Sequence, residues 1–510
     1  MVCKSTKQKY QVFLFGQAVL VTVCMLMILV YYPDTMYKTY YDESVHMKEE
    51  LDELIEVDKQ RVILDKRRKM AQGEFIPIEG NLNCILFRYD VLPGNIEADI
   101  SKMVNEEGEF AFFSEDANYR PDEIPSWFDT AIDYCAGCMV IHGPGKYIAS
   151  LKDVTIYPQF GHGKIGGENI EDVINQSEDE EEIHLEKGYF VINSNVYFDT
   201  NIDTSIYLKK FFDGLVLLKE TDTASLHANK RQDMVAVIVA RRDYANFYHA
   251  TMDLYDVFLI SILFKIDLYH LEVIWMDAHP KSNLDYMWEA LFGLPTRAGT
   301  LTEPIKYNKM IWSGFGHKSH INQHQTEFLP FVQEFRHFVL SRFEVETDHV
   351  IDCNQLRITI IWRRHHVAHP RNPSGYTVRR IANEGDVWRA VKESEYTAIV
   401  NGVQLERLNM VEQLELISRT DILIGMHGAG LTHTLYLPKT SGVIEIYPEY
   451  TSVGNAHFRA MSKWRQLRHI VWLNQDKTLE KKDHQTILPL HVIQELVGVM
   501  KNAVCENNND

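Results

Sequence analysis

The chain has little cysteine, no Asp-x-Asp triplet and no excess of positive charge. Lysine and arginine number 52 against 71 aspartates and glutamates, a net charge of −19 at pH 7. Nucleic-acid backbones are held by clustered basic residues, so no nucleic-acid partner is expected. The seven cysteines include one C-x-x-C pair, Cys135 and Cys138, with no second pair at zinc-binding spacing. A structural disulfide there, or separate long-range bridges, is favoured over metal or redox chemistry. Without Asp-x-Asp, the chain also lacks a short carboxylate motif that commonly holds a divalent cation on a phosphorylated substrate.

What is present suggests a large head behind an anchor. A chain of 510 residues with 45% hydrophobic content can bury a sizeable core, and at roughly 150 residues per domain it holds about two to three domains. Residues 12–32 (VFLFGQAVLVTVCMLMILVYY) carry no charge and are long enough to cross a bilayer as a helix. Lys4, Lys7 and Lys9 precede them, and Asp34, Asp42 and Glu43 come after. The positive-inside bias then makes residues 1–11 a cytosolic tail, 12–32 a transmembrane signal-anchor of type II topology, and the rest lumenal. Residues 33–80 are charged, with spaced apolar residues Met47, Leu51, Leu54, Ile55 and Val62, as in a helical stem through which a homodimer could form. Cys3 and Cys24 fall in the tail and anchor. Cys84, Cys135, Cys138, Cys353 and Cys505 remain on the lumenal side, where one or two disulfides and at least one free thiol are expected. Asn175 opens the usable sequon (NQS), beside an acidic run at 177–182 (SEDEEE) that reads as a solvated surface loop.

The head divides into α/β sections at 81–350 and 351–505. In the first, residues 234–242 (MVAVIVARR) read as a buried strand, 246–264 as a helix and 271–280 (LEVIWMDAHP) as another strand, a β-α-β unit. His249 and Asp253 lie four apart on that helix and project from one face, a pair able to serve as general base. In the second, strands are expected at 357–366 (RITIIWRRHH), 421–424 and 442–447, with a helix over 432–437 stopped by Pro438. Gly425, Gly428 and Gly430 surround His427 in a strand-to-helix turn. Ligands of parallel α/β units collect at such carboxyl ends of strands, and the turn reads as a phosphate seat.

HGAGLTH at 427–433, preceded by DILIG and followed by LYLP and by a strand bearing Glu445, resembles the signature of glycosyltransferase family 61. Asn246-x-Tyr248-His249-x-x-x-Asp253 is similar to the N-x-aromatic-H-x-x-x-D pattern of that family. The resemblance extends over roughly residues 230–475. The segments WRRHHVAHPR (362–371), Arg380-x-Ile-x-Asn383-Glu384 and VIWMDAHP…WEALF (273–292) resemble its xylosyl branch, with His366 where a tyrosine is usual.

The resemblance implies an α/β fold of GT-B type: two Rossmann-like domains facing a cleft, an acceptor-side domain at 81–350 and a UDP-sugar-binding domain at 351–505. It implies an inverting transfer of xylose from UDP-xylose, in β-1,2 linkage, to the core mannose of an N-glycan in the Golgi, or alternatively of GlcNAc from UDP-GlcNAc to a protein O-glycan or an EGF-domain hydroxyl. His249 and Asp253 are the expected catalytic residues. Arg363, Arg364, His427, Gly428, Ala429 and Gly430 are expected to hold the diphosphate, and Glu445 the ribose hydroxyls. No metal ligand is assigned, and turnover without metal is expected, because arginines and a helix dipole can neutralise the leaving group.

Overall fold

The computed structural model describes residues 128–505 except 129, 144, 195, 197–204, 219–227, 327, 347–348 and 452–453. The tail, the anchor at 12–32, the stem at 33–80 and Cys84 lie outside the described residues. Among the described residues, no helix is long and apolar enough to cross a membrane.

One mixed sheet is built from β1 (Ala131–Asp133), β2 (Met139–His142), β3 (Ile148–Ile156), β4 (Phe190–Asn193), β5 (Leu215–Leu218), β6 (Asn229–Val239), β7 (Leu271–Trp275), β8 (Thr296–Arg297) and β9 (Ile305–Ser313). Its parallel part runs β9-β6-β7-β8, and β3 pairs antiparallel to β9 to bring in the strands before residue 219. The helices of this half are, in chain order, α1 (Ile206–Asp213), α2 (Phe247–Leu263), α3 (Asp285–Phe292) and α4 (Val332–Arg342). Helix α2 forms the crossover from β6 to β7. The Asn246 side chain caps it by accepting from the Tyr248 N–H, and apolar residues cover nearly its whole surface, which suits a helix packed on both sides.

The second sheet is wholly parallel. It contains β10 (Arg357–Ile361), β11 (Ile399–Val403), β12 (Ile422–Met426), β13 (Gly442–Tyr447) and β14 (Arg468–Leu473), in the order β11-β10-β12-β13-β14. The crossovers are α5 (Glu384–Ser394), α6 (Met410–Ser418), a 3₁₀ helix (Ala429–Tyr436) and α7 (His457–Trp464), and α8 (Leu490–Cys505) ends the described chain. The strand order 2-1-3-4-5 reverses direction between β10 and β12. In such doubly wound sheets the ligand crevice opens at that switch point, outside the carboxyl ends of the strands.

Side-chain alternation assigns each strand face to a core. Val237, Val239, Val273 and Trp275 of the first sheet share one cluster with Leu423 and Val443 of the second. Ala236, Ile238 and Ile274 turn to a cluster behind the first sheet, and Ile358, Ile360, Ile424 and Ile444 to one behind the second. Helices α2, α4, α6 and α7 and the 3₁₀ helix fill the shared layer. The division at 350 therefore separates two sheets, while a single hydrophobic core crosses it.

The segment 432–437, expected as an α-helix, is the latter part of the 3₁₀ helix. Two β-branched threonines, Thr432 and Thr434, and Pro438 immediately beyond disfavour a longer α-helical run, and its residues from Leu431 to Tyr436 are all buried. Of the five cysteines expected to be lumenal, Cys135 pairs with Cys138, and Cys353, just before β10, pairs with Cys505 at the end of α8. The second bridge spans a sequence separation of 152 residues. Closing so long a loop stabilises by about 2–5 kcal/mol through the unfolded chain. Cys353→Ser is accordingly expected to lower the melting midpoint by several degrees, measured by scanning calorimetry; an unchanged midpoint would mean the bridge adds nothing.

Candidate active site

Strands β10 and β12 are neighbours, so the residues just beyond each strand emerge together at the switch point. After β10 come Trp362 and Arg363, and after β12 come His427 and Gly428. A Cβ added at Gly428 would meet Nη1 of Arg363, so the guanidinium lies against this glycine's backbone and any larger residue would displace it. Nε of Arg363 donates to the Val378 carbonyl at 3.1 Å. Burial, with repulsion from Arg379 and some opposition from Glu406, brings the Arg363 guanidinium down to about 10, still a cation at neutral pH.

His427 is fixed from behind. Its Nδ1 lies 2.6 Å from Oε1 of Glu445, whose Oε2 lies 3.0 Å from Nε2 of His469. The ring stacks on Tyr447 at 4.6 Å, and its backbone N–H donates to the Ile446 carbonyl at 2.9 Å. Glu445 is only 1% exposed. Burial would raise its pKa, but the hydrogen bonds from His427 and His469 outweigh that and hold it below the usual range. Glu445, expected to hold the ribose hydroxyls, has both oxygens engaged by imidazoles inside the sheet. Its anion instead draws the His427 proton to Nδ1 and leaves Nε2 as the ring atom for a ligand.

Arg364, expected beside Arg363 on the diphosphate, is placed differently. Its exposed guanidinium donates from Nε to Oε2 of Glu384 at 3.0 Å, at the start of α5, and so is held by a carboxylate. A cation missed in the sequence, Arg379, stands beside Arg363 instead, with its Nε buried and unpartnered. Ala429 and Gly430 open the 3₁₀ helix, where the Leu431 N–H already donates to the Gly428 carbonyl.

On the first sheet, the loops after β6 and β7 are locked by Arg241. It donates to both oxygens of Asp277 at 3.1 and 2.7 Å and to Oδ1 of Asp285 at 2.9 Å, and lies 3.5 Å over the Trp275 ring. Asp253 on α2 is half-buried within reach of this group. Burial pushes its carboxyl up to about 7, Asp277 adds to the rise, and Arg241, His279 and the Arg242 amide oppose it. A carboxyl poised there is well matched to removing a proton at neutral pH. His249, one turn earlier, is lowered by burial, with Arg242 and His317 adding and Asp243 opposing. No hydrogen bond joins His249 to Asp253 among the described residues, so the pair expected to serve as general base consists of two separate groups. The carboxylate acting on His249 is Asp243, which lies 2.9 Å from Nε2 of His369.

Two further connections join the halves. The loop after β10 reaches the first sheet, where His369 meets Asp243 and Nη1 of Arg371 pairs with Glu181 at 2.9 Å. Glu181 also lies 2.6 Å from Nδ1 of His279 and is 1% exposed. The acidic run at 177–182 is therefore not wholly solvated: one of its carboxylates is a buried anchor. Tyr248, at the head of α2, lies 2.9 Å from Nδ1 of His457, which also contacts His324, and the His457 ring stacks 6.0 Å from His427. The helix bearing His249 and Asp253 thus meets the His427 turn.

A profile of the family Glycosyltransferase 61 matches residues 127–444. The chain belongs to glycosyltransferase family 61. It is 25% identical over 342 residues to a β-1,2-xylosyltransferase of Oryza sativa subsp. japonica, covering 60% of this chain and 63% of that one. It is 22% identical over 410 residues to the β-1,2-xylosyltransferase of Arabidopsis thaliana, covering 67% of this chain and 74% of that one. Over 116 residues it is 33% identical to an EGF domain-specific O-linked N-acetylglucosamine transferase of Bos taurus, 22% of this chain and 21% of that one.

Two outcomes are expected of this geometry. With a base near 7, kcat/KM should fall about tenfold per pH unit below that value, as Asp253 takes up its proton. Asp253→Asn should remove this limb and about 10²–10⁴-fold of the rate. A pH–rate profile that keeps the limb in the variant would assign the base elsewhere. Separately, Arg363→Ala should weaken UDP binding about tenfold or more, while Arg364→Ala leaves calorimetric affinity within about twofold; equal losses would return Arg364 to the crevice.

Proposed function

We propose that the chain transfers xylose from UDP-xylose, in β-1,2 linkage and with inversion, to the core mannose of an N-glycan. The observation that carries the donor half is the half-buried arginine on Gly428 at the switch point, beside a His427 whose free nitrogen is set by Glu445. The acceptor half rests on Asp253, pushed up to about 7. In this scheme Asp253 takes the proton of the mannose hydroxyl, and its oxygen attacks the anomeric carbon from the face opposite the diphosphate. The bond from that carbon to the diphosphate oxygen breaks, and Arg363 with His427 receives the charge of the leaving UDP. The architecture is then of GT-B type, with the donor on the second sheet and the acceptor over the first. Choice of xylose rests on the likeness to the rice and Arabidopsis enzymes across 60% and 67% of this chain. The charged crevice also supplies the electrostatics for turnover without a divalent cation.

A second scheme, GlcNAc transfer to a protein hydroxyl, is favoured by the higher identity, 33%, in the short segment shared with the EGF-domain enzyme of Bos taurus. In either scheme residues 12–32 anchor the chain as a type II protein of the Golgi membrane, and residues 33–80 carry the head, as a possible homodimer, into the lumen. Purified full-length protein should transfer a pentose to a GlcNAc-terminated N-glycan from UDP-xylose, with or without EDTA, as read by mass. Preference for UDP-GlcNAc and a folded EGF domain would select the second scheme. Strict dependence on added manganese would contradict the metal-free mechanism.

A further inference from the structure

The crevice holds a second cation that lacks an anion. Arg379 adopts φ +58°, a left-handed conformation uncommon for a residue of its size and of the kind that ligand clamps can hold. Among the described residues, its Nε is buried without a hydrogen-bond partner. The residue before it, Val378, accepts the hydrogen bond from Nε of Arg363, which ties the two guanidinium-bearing segments together. Burial lowers Arg379 as it does Arg363, and Arg379 contributes to the lowering of Arg363. Among the described residues, the acidic groups acting on Arg379 are the phenols of Tyr450 and Tyr447, both raised above their ordinary value by burial and so neutral. Tyr447 is the ring on which His427 stacks. Among the described residues, Glu406 acts on Arg363 but no carboxylate acts on Arg379, and two neighbouring cations so poorly compensated cost stability unless a ligand brings negative charge. By contrast Arg364, next in sequence to Arg363, already has Glu384.

We propose that Arg379, not Arg364, is the second arginine that holds the diphosphate of the nucleotide-sugar donor together with Arg363. This rests on the donor assignment made above. The bound diphosphate would accept from both guanidinium groups and supply the charge that the crevice lacks, while Tyr447 and Tyr450 keep it partly dry.

The test is calorimetry on the full-length protein with UDP, and competition by uridine, which has no phosphate. Asparagine tolerates the left-handed conformation, so Arg379→Asn should fold with a melting midpoint near that of the wild type. It should bind UDP about tenfold to a hundredfold more weakly, with uridine competing equally against both proteins. Arg379→Lys should recover part of the loss, because it restores charge without the fork. UDP affinity unchanged in Arg379→Asn overturns this proposal and leaves the donor assignment standing on Arg363. Failure of the wild-type protein to bind UDP withdraws the donor assignment itself.

Discussion

The ion pair of Arg241 with Asp277, sealed over Trp275, is the interaction on which the rest of the site depends. An ion pair taken out of water is retained only with near-complete hydrogen bonding, and here both carboxylate oxygens are engaged while Asp285 takes a further guanidinium nitrogen. The pair pins together the loops that leave β6 and β7. It also decides the environment of Asp253, which feels the Arg241 cation and the Asp277 anion at once, so that burial prevails and the carboxyl rises. From His279 in the same group, Glu181 and Arg371 extend the connection to the loop that leaves β10.

That loop ties the two sheets together. It begins with Arg363 on the back of Gly428 and continues to His369 and Arg371, which reach residues of the first sheet. Sugar transfer needs a neutral-pH base on one substrate and fixed positive charge on the other. The two requirements are opposed electrostatically, since a nearby cation would lower the base. In the proposed scheme the base Asp253 lies on α2 and the cation Arg363 just after β10 of the second sheet.

Much of this was legible along the chain, for a physical reason. Parallel strands buried on both faces appear as unbroken apolar runs, so the strands and the glycine turn at His427 could be located, although the strand expected over 357–366 ends at Ile361, and α2 was evident from its length. Roles that depend on sequence-distant partners could not be read in this way. Glu445 faces an imidazole on the next strand, 24 residues away, rather than a ligand. Glu181 sits in a run of carboxylates that reads as solvated until its partners 98 and more residues on are brought to it. Adjacent residues of an extended segment point to opposite sides, which is why Arg363 meets the glycine turn and Arg364 does not. Arg379 has no local signature beyond its charge. The 3₁₀ form of 429–436 reflects packing on every side, which overrides helix propensity.

The central claim is that the β10–β12 switch point is the seat of a nucleotide diphosphate. A structure of the full chain with UDP bound tests it most directly. The diphosphate oxygens are predicted within hydrogen-bonding distance of the Arg363 guanidinium and of Nε2 of His427, with Glu445 still joined to Nδ1. UDP seated over the first sheet, or a diphosphate turned away from Arg363, would contradict the account.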